Sequence, residues 1–393
     1  MKKPMTYHSI LKSLLRFSCL IILSTSNLSF AASRLIPYPP ELAAKSWILL
    51  DARSGHVIVE YNTDEQLPPA SLTKMMTSYI AAEQIESGNI SLDDDVLISK
   101  KAWRKGGSKM YIREGTRVSM DDLIKGIIIQ SGNDASIAVS EHIAGSEDAF
   151  ADLMNQTAAS LDMKNSHFMN ATGWPAKNHY TTAGDLAKLA KAIIYDHPDH
   201  YVTYAEKEFT YNKIRQPNRN KLLWRDASVD GLKTGHTEEA GYCLVASAKR
   251  NNTRLISVVM GTKSEEARAA ESQKLLTYGF RFFESVKSYS AQEEIVESKI
   301  WMGAKDTIKL GTVDDIWLTI PRGSEKDIKA ELDFPSELRA PLKAGDSIGT
   351  LKLMLGDEVL HESPLAALEE IEKSGFFKQI WHSIMLFFMG LVT

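Results

Sequence analysis

Three short segments hold the residue types that an acyl-transfer reaction needs: Ser71-Leu72-Thr73-Lys74, Ser131-Gly132-Asn133 and Lys233-Thr234-Gly235. A serine hydroxyl is a weak nucleophile until a neighbouring base takes its proton. Residues three apart share one face of a helix, so a helix starting near Ser71 brings Lys74 beside it. Lys74 serves as that base only when neutral, a state that burial and a second cation favour. Lys233 is the natural second cation. Ser131 is suited to bridge the two lysine regions and to relay a proton to a leaving amine. Asn133 offers a donor and an acceptor to a substrate amide. Lys233 and Thr234 suit a terminal carboxylate, and Gly235 removes a side chain where a substrate backbone approaches an edge strand.

Each segment also has a double elsewhere in the chain: Ser9-Ile10-Leu11-Lys12, Ser87-Gly88-Asn89 and Lys373-Ser374-Gly375. Physics separates them. Ser9 lies in a segment that reads as a cleaved leader. Ser87 falls at the far end of the helix that Ser71 begins, roughly 24 Å away at ~1.5 Å per residue, and its Gly-Asn pair reads as a helix C-cap. Lys373 precedes an amphipathic tail, where Ser-Gly separates two elements. Taken singly, each remaining segment reads as ordinary structure. Taken together and in order, they form the signature of serine acyl-transferases of the penicillin-interacting kind.

The elements that must position these residues follow from local pattern. Trp47 to Asp51 and His56 to Tyr61 read as strands around a turn at 52–55, and Leu72 to Ile85 reads as a helix stopped at Gly88. Residues 119–145 read as two helices broken at Ser131-Gly132-Asn133, the first opened by Ser119 and Asp122 at capping-box spacing. Helices follow at 147–161 and 183–195. Tyr242 to Ala248 and Leu255 to Gly261 predict a hairpin around 250–253, and Ala267 to Phe283 predicts a helix packed back on it. Strands at both ends with helices between predict an α+β domain over 33–287. Short strands at 307–310, 316–320 and 347–354 among Gly and Pro turns predict a small all-β sandwich over 290–365.

The composition is that of an ordinary folded protein. A chain of 393 residues with 44% hydrophobic and 24% charged residues has room for two or three domains. A formal net charge of −4 without a basic stripe excludes a nucleic-acid footprint. Lys2, Lys3, Lys12 and Arg16, the apolar run Phe17 to Leu23, and small residues at 29–31 predict a signal peptide over 1–32, hence export. Of the two cysteines, Cys19 lies in that leader and Cys243 stands alone in a strand, so no disulfide is expected. Residues 366–393 form a tail. In it Phe376, Phe377, Ile380, Trp381, Ile384, Met385, Phe388 and Leu391 recur at helical spacing opposite Lys378, Gln379, His382 and Ser383. The stretch is short of the ~20 residues that span a bilayer, so it is expected to lie in a membrane surface.

The longer segments Pro69-Ala70-Ser71-Leu72-Thr73-Lys74-Met75-Met76-Thr77, Ser131-Gly132-Asn133-Asp134-Ala135 and Asp230-Gly231-Leu232-Lys233-Thr234-Gly235-His236-Thr237 resemble the low-molecular-mass penicillin-binding D-alanyl-D-alanine carboxypeptidases. The resemblance covers nearly all of the mature chain. It implies a transpeptidase/β-lactamase-like catalytic domain acting on the D-Ala-D-Ala end of peptidoglycan stem peptides, acylation of Ser71 by β-lactam antibiotics, and residence on the periplasmic face of the inner membrane. It also implies an oxyanion hole formed by the backbone N–H groups of Ser71 and His236. Arg219 and Arg268 resemble family arginines near the substrate carboxylate, though a surface ion pair would account for either. The segment Ser99 to Arg113 looks shorter than the corresponding family loop, which leaves loop-dependent deacylation open.

Two other classes compete. A class A β-lactamase needs a glutamate that activates the deacylating water. Between Asn133 and Lys233 the glutamates are Glu141, Glu147, Glu206 and Glu208, and none stands in a Glu-x-x-Leu-Asn pattern. A catalytically silent cell-wall scaffold of the same fold is the other. Metal chemistry is weakly supported, because His56, His142, His167, His179 and His236 lack ligand spacing. No cofactor is expected.

Overall fold

The computed structural model describes residues 36–389. The leader predicted over 1–32 and Leu391 of the tail lie outside them.

Ser46-Trp-Ile-Leu-Leu-Asp51 is apolar on both alternating faces, the pattern of a strand covered on both sides. It forms β1 (Ser46–Asp51), buried throughout. With β2 (Val57–Tyr61), β3 (Val229–Thr237), β4 (Gly241–Arg250) and β5 (Thr253–Thr262) it makes an antiparallel sheet in the order β2-β1-β5-β4-β3. The predicted hairpin is β4–β5, closed by Arg250 opposite Thr253, with Asn251 in the left-handed region that Asn tolerates.

Alternation along β4 and β5 feeds two cores. Val245, Ile256 and Val258 face the helical side, where α1 (Lys74–Glu86), α2 (Asn133–Ala144), α3 (Glu147–Ser160) and α4 (Ala183–Asp196) supply Met75, Ile80, Ile137, Phe150 and Leu189. Leu244, Leu255 and Val259 face α5 (Glu265–Phe282), which supplies Leu275 and Leu276. The result is three layers, helix on sheet on helix. Helix starts follow side-chain capping: Ser146, Thr182 and Ser264 each accept an N–H from the residue three positions on. Cys243 is fully buried in β4, a free thiol that burial pushes up to about 11.

α5 passes directly into β6 (Phe283–Tyr289), which pairs with Ile316–Pro321. A six-stranded sheet completes the β module, and Leu351 and Leu353 of that sheet pack against Ile316, Leu318 and Ile320. Asp51, at the end of β1, is fully buried at the junction of the two modules. Its Oδ2 accepts hydrogen bonds from Ser285 and from Thr319 (2.9 Å). Arg53 lies over the Trp317 ring, 4.7 Å from its centroid.

The tail forms α6 (Phe376–Met389). Its polar side is turned onto the β module: His382 is buried, its Nδ1 accepting the Met302 N–H at 2.8 Å, and Lys378 pairs with Asp306 at 2.7 Å. Phe376, Phe377, Ile380, Trp381, Ile384, Phe387 and Phe388 are exposed. Among the described residues no helix is long and apolar enough to cross a membrane.

Candidate active site

Ser71 sits in a tight helical turn, Ala70–Thr73, that leads into α1 at Lys74. Lys74 is fully buried beneath it, and its Nζ donates to Ser71 Oγ at 3.1 Å and to the Thr172 carbonyl at 2.5 Å. Burial and then the Arg219 and Lys105 cations push the Lys74 amine down to about 7, with Asp134 opposing. A neutral lysine is therefore accessible near neutral pH, which a solvated lysine does not offer. Lys233 was the cation expected to act on Lys74; the two lysine charges do oppose one another, and Arg219 adds to them.

Ser131 ends a π-helical turn, Gly126–Gln130, and adopts φ 66°, ψ 37°. A non-glycine residue held in the left-handed region is strained, and such strain collects at functional sites. Here it places Ser131 Oγ 2.9 Å from Lys233 Nζ. Lys233 is buried, and burial followed by the Lys74, Arg219 and Arg268 charges pushes it well below the usual lysine range. Ser71, Lys74, Ser131 and Lys233 thus form two hydrogen-bonded Ser–Lys pairs within one electrostatically coupled pocket.

Asn133 is 6% exposed and donates Nδ2–H to the Gly106 carbonyl at 2.8 Å. Part of its donor capacity is spent on the 106–108 loop, and the rest of the amide remains for a ligand. Thr234 is buried on β3, the edge strand of the sheet, while His236 is exposed and stacks on Tyr242 with ring centroids 3.9 Å apart. Gly235 has a packing reason as well as the expected one. A Cβ there would lie 3.1 Å from both Leu72 Cγ and the Pro69 carbonyl, so its bareness lets β3 pack against the serine turn.

The two arginines part company. Arg268 is buried, its Nη1 donates to the Gly235 carbonyl at 3.2 Å, and its charge acts on Lys233; its contact with Glu265, at 4.0 Å, is loose. Arg219 is exposed between two buried asparagines. Asn218 donates to the Glu206 carbonyl and Asn220 to the Gly231 carbonyl, which fixes the backbone on either side of it.

Local pattern missed several residues. Asp134, fully buried, accepts the N–H groups of Met110, Tyr111 and Ile112 and pins that loop to the Ser131 turn. Its place directly after Ser131-Gly132-Asn133 was the available signal. Asn170, Thr172 and His179, which carry the acceptor for Lys74, left no periodic trace.

This architecture has relatives. A family model for D-alanyl-D-alanine carboxypeptidases matches residues 33–264, and a model of the penicillin-binding protein 5 C-terminal domain matches 283–373. The chain belongs to the D-alanyl-D-alanine carboxypeptidase family. It is 44% identical over 390 residues to the D-alanyl-D-alanine carboxypeptidase DacC of Escherichia coli strain K12, covering 97% of each chain. Among solved structures it is similar to penicillin-binding protein 5 of Haemophilus influenzae, with a TM-score of 0.83, 41% identity, and coverage of 86% of this chain and 100% of that one. It is also similar to penicillin-binding protein D2 of Listeria monocytogenes in its ampicillin-bound form, with a TM-score of 0.57, 30% identity, and coverage of 61% and 100%. The carboxypeptidase family assignment agrees with the α+β catalytic layer, the all-β module and the C-terminal helix.

Proposed function

We propose that this protein is a serine-type D-alanyl-D-alanine carboxypeptidase that removes the terminal D-Ala from peptidoglycan stem pentapeptides through an acyl-Ser71 intermediate. The observation that carries the reading is a fully buried Lys74 Nζ held 3.1 Å from Ser71 Oγ. Ser71 Oγ attacks the carbonyl of the D-Ala-D-Ala bond as Lys74 Nζ takes the hydroxyl proton. The C–N bond breaks, and the leaving amine receives a proton relayed through Ser131. Water then attacks the ester, restores Ser71 and releases the shortened peptide. Asn133 holds the substrate amide, and Lys233 and Thr234 bind the terminal carboxylate with Arg219 at the rim. Arg268, which bonds the Gly235 carbonyl, adds its charge beside Lys233 for the same carboxylate. The backbone N–H groups of Ser71 and His236 receive the oxyanion, a contribution on the order of 3–4 kcal/mol per donor.

β-Lactams acylate the same serine, a reading supported by the ampicillin-bound relative. Residues 1–32 are an export signal, and the exposed apolar side of α6 rests in the periplasmic face of the inner membrane. The catalytic domain, β module and tail take the spans 33–287, 290–365 and 366–393.

The test is mass spectrometry of the mature protein with benzylpenicillin, together with D-alanine release from a stem pentapeptide. A covalent adduct on the Ser71 peptide, absent from Ser71→Ala, is expected, with D-alanine released by the wild type alone. A folded wild type that forms no adduct overturns the assignment. Rapid loss of the adduct with repeated turnover would mark a β-lactamase.

A further inference from the structure

The Lys74 amine has two hydrogen-bond neighbours, Ser71 Oγ and the Thr172 carbonyl. A neutral amine carries two N–H groups and one lone pair. To deprotonate Ser71 it must aim the lone pair at Oγ, which requires an N–H to be held elsewhere. The Thr172 carbonyl does this, so the turn that presents that carbonyl bears on the reaction without touching the substrate.

That turn is built around Asn170. Its Oδ1 accepts the backbone N–H groups of Thr172 (3.1 Å), Gly173 (2.9 Å) and Trp174 (3.0 Å), together with the Thr172 hydroxyl (2.8 Å). Backbone N–H groups only donate and the Trp174 carbonyl, 2.9 Å from Nδ2, only accepts, so the amide orientation is determined. Asn170 Nδ2 also lies 3.2 Å from His179 Nδ1, and the His179 ring bonds the same Trp174 carbonyl. Burial, reinforced by the His167 and Lys74 charges, pushes His179 down to about 4 and keeps the ring neutral. The other ring nitrogen, Nε2, is hydrogen-bonded to Thr73 Oγ1 at 3.0 Å. Thr73 is fully buried between Ser71 and Lys74 in sequence. One polar chain thus runs from the 170–174 turn through His179 back into the serine motif.

The turn is gripped at two more points. Thr77 Oγ1, about one turn further along α1, donates to the Ala171 carbonyl at 2.8 Å. Gly173, at φ +80°, lies so close to the serine turn that a Cβ would fall 1.7 Å from the Ala70 carbonyl oxygen. Backbone meets backbone there, so the turn cannot shift without moving Ser71.

We propose that Asn170 and His179 are positioning residues for acylation: with Thr73 they lock the 170–174 turn so that its Thr172 carbonyl holds the Lys74 amine with a lone pair toward Ser71. This rests on Lys74 acting as the base. The chain touches neither Asn133, Lys233 nor Thr234, so it acts on the acylation step rather than on binding. A carbonyl acceptor stabilises the ammonium more than the amine. Loosening it lowers the pH at which Lys74 loses its proton while spoiling the direction of the amine. The other charges acting on Lys74 are Arg219, Lys105, Asp134 and the coupled Lys233, and the substitutions below leave them in place.

The test is the pH profile of penicillin acylation in the full mature chain, with the pre-acylation dissociation constant measured separately. In His179→Leu and Asn170→Ala the high-pH acylation plateau is expected to fall by about 10²-fold, as a misplacement near 1 Å does. The midpoint is expected to move below that of the wild type, with the dissociation constant little changed. His179→Gln, whose amide can donate and accept across a similar span, recovers most of the loss. Thr73→Val, which removes only the hydroxyl bonded to His179, provides the same readout where either larger change prevents folding. A folded variant that melts earlier yet keeps the wild-type midpoint and plateau overturns the proposal, because the chain is then structural only. Lys74→Ala separates the two readings. Wild-type acylation in Lys74→Ala defeats both the base assignment and this inference, whereas an inert Lys74→Ala beside an unaffected His179→Leu defeats this inference alone.

Discussion

Lys233 Nζ lies 2.9 Å from Ser131 Oγ and joins segments 102 residues apart in the chain. A serine held by one buried lysine, in a pocket whose other serine is held by a second, is placed to pass a proton between the lysine region and a leaving group. Ser131→Ala removes that route while leaving a small residue in the turn. Acylation by benzylpenicillin is expected to fall by about 10²–10⁴-fold, the usual worth of a positioned acid–base group. Thermal stability should change little, because only a hydroxyl is removed and Lys233 keeps its bond to the Thr234 carbonyl at 3.2 Å. Stopped-flow acylation rates at saturating penicillin check the prediction, and a loss under threefold would remove Ser131 from the proton path.

The reaction should depend on pH through Lys74. The amine is a base only when deprotonated, and its transition lies near about 7, so acylation rises with pH through that region. Arg219 disfavours the ammonium form. Arg219→Ala removes a cation, lets Lys74 keep its proton to higher pH, and moves the midpoint upward. Activity at neutral pH falls as a result, and Arg219→Lys retains more of it. Acylation rates across the pH series check both direction and order.

Acid should weaken the fold through two buried histidines. Burial pushes His179 and His200 down to about 4, from an ordinary value of 6.5. As pH falls through 6.5 the unfolded chain takes up protons that the folded chain refuses until about 4. Stability is therefore full above 6.5 and is lost across that window, by an amount on the order of 3 kcal/mol per site. His200 is hydrogen-bonded to Ser78 Oγ at 2.5 Å. His200→Gln should flatten its share of the slope. Urea unfolding at successive pH values tests this, and an unchanged slope would show that His200 titrates normally in the folded chain.

Removing the tail should separate attachment from chemistry. Truncation after Ser374 deletes α6 with its exposed Phe377, Trp381 and Phe388. Flotation with vesicles of anionic phospholipid should be lost, because the buried apolar area that drives interfacial binding is gone. Penicillin acylation should persist at the wild-type rate, since the helix contacts the β module through Lys378 and His382 rather than the serine pocket. Continued flotation of the truncated chain would place attachment elsewhere.

Much of this was readable from neighbours in sequence. Ser71 and Lys74 stand three apart, so any helix there pairs them. Ser119 does cap the next helical turn by accepting the Asp122 N–H. Gly88, at φ +72°, ends α1 just past the Ser87 double of the motif. The hairpin before α5 needed only two β-rich runs and an Asn-Asn turn. These features rest on hydrogen bonds within a few residues, where side-chain type and spacing decide conformation.

What the sequence by itself determined was therefore the chemical inventory and the local elements that carry it: two serine–lysine sets, an edge strand, a β module and an amphipathic tail. Tertiary structure alone decided how those groups act. It added the Arg219 charge to that of Lys233 at Lys74, bonded Arg268 to the Gly235 carbonyl, set Gly235 against the serine turn, and folded the polar side of α6 onto Met302 and Asp306. It also brought Thr172 to Lys74 across 98 residues and His179 to Thr73 across 106. Contacts at such separations arise from how helices and sheet stack around shared cores. The field and the hydrogen bonds at Lys74 depend on distances that no periodicity along the chain records.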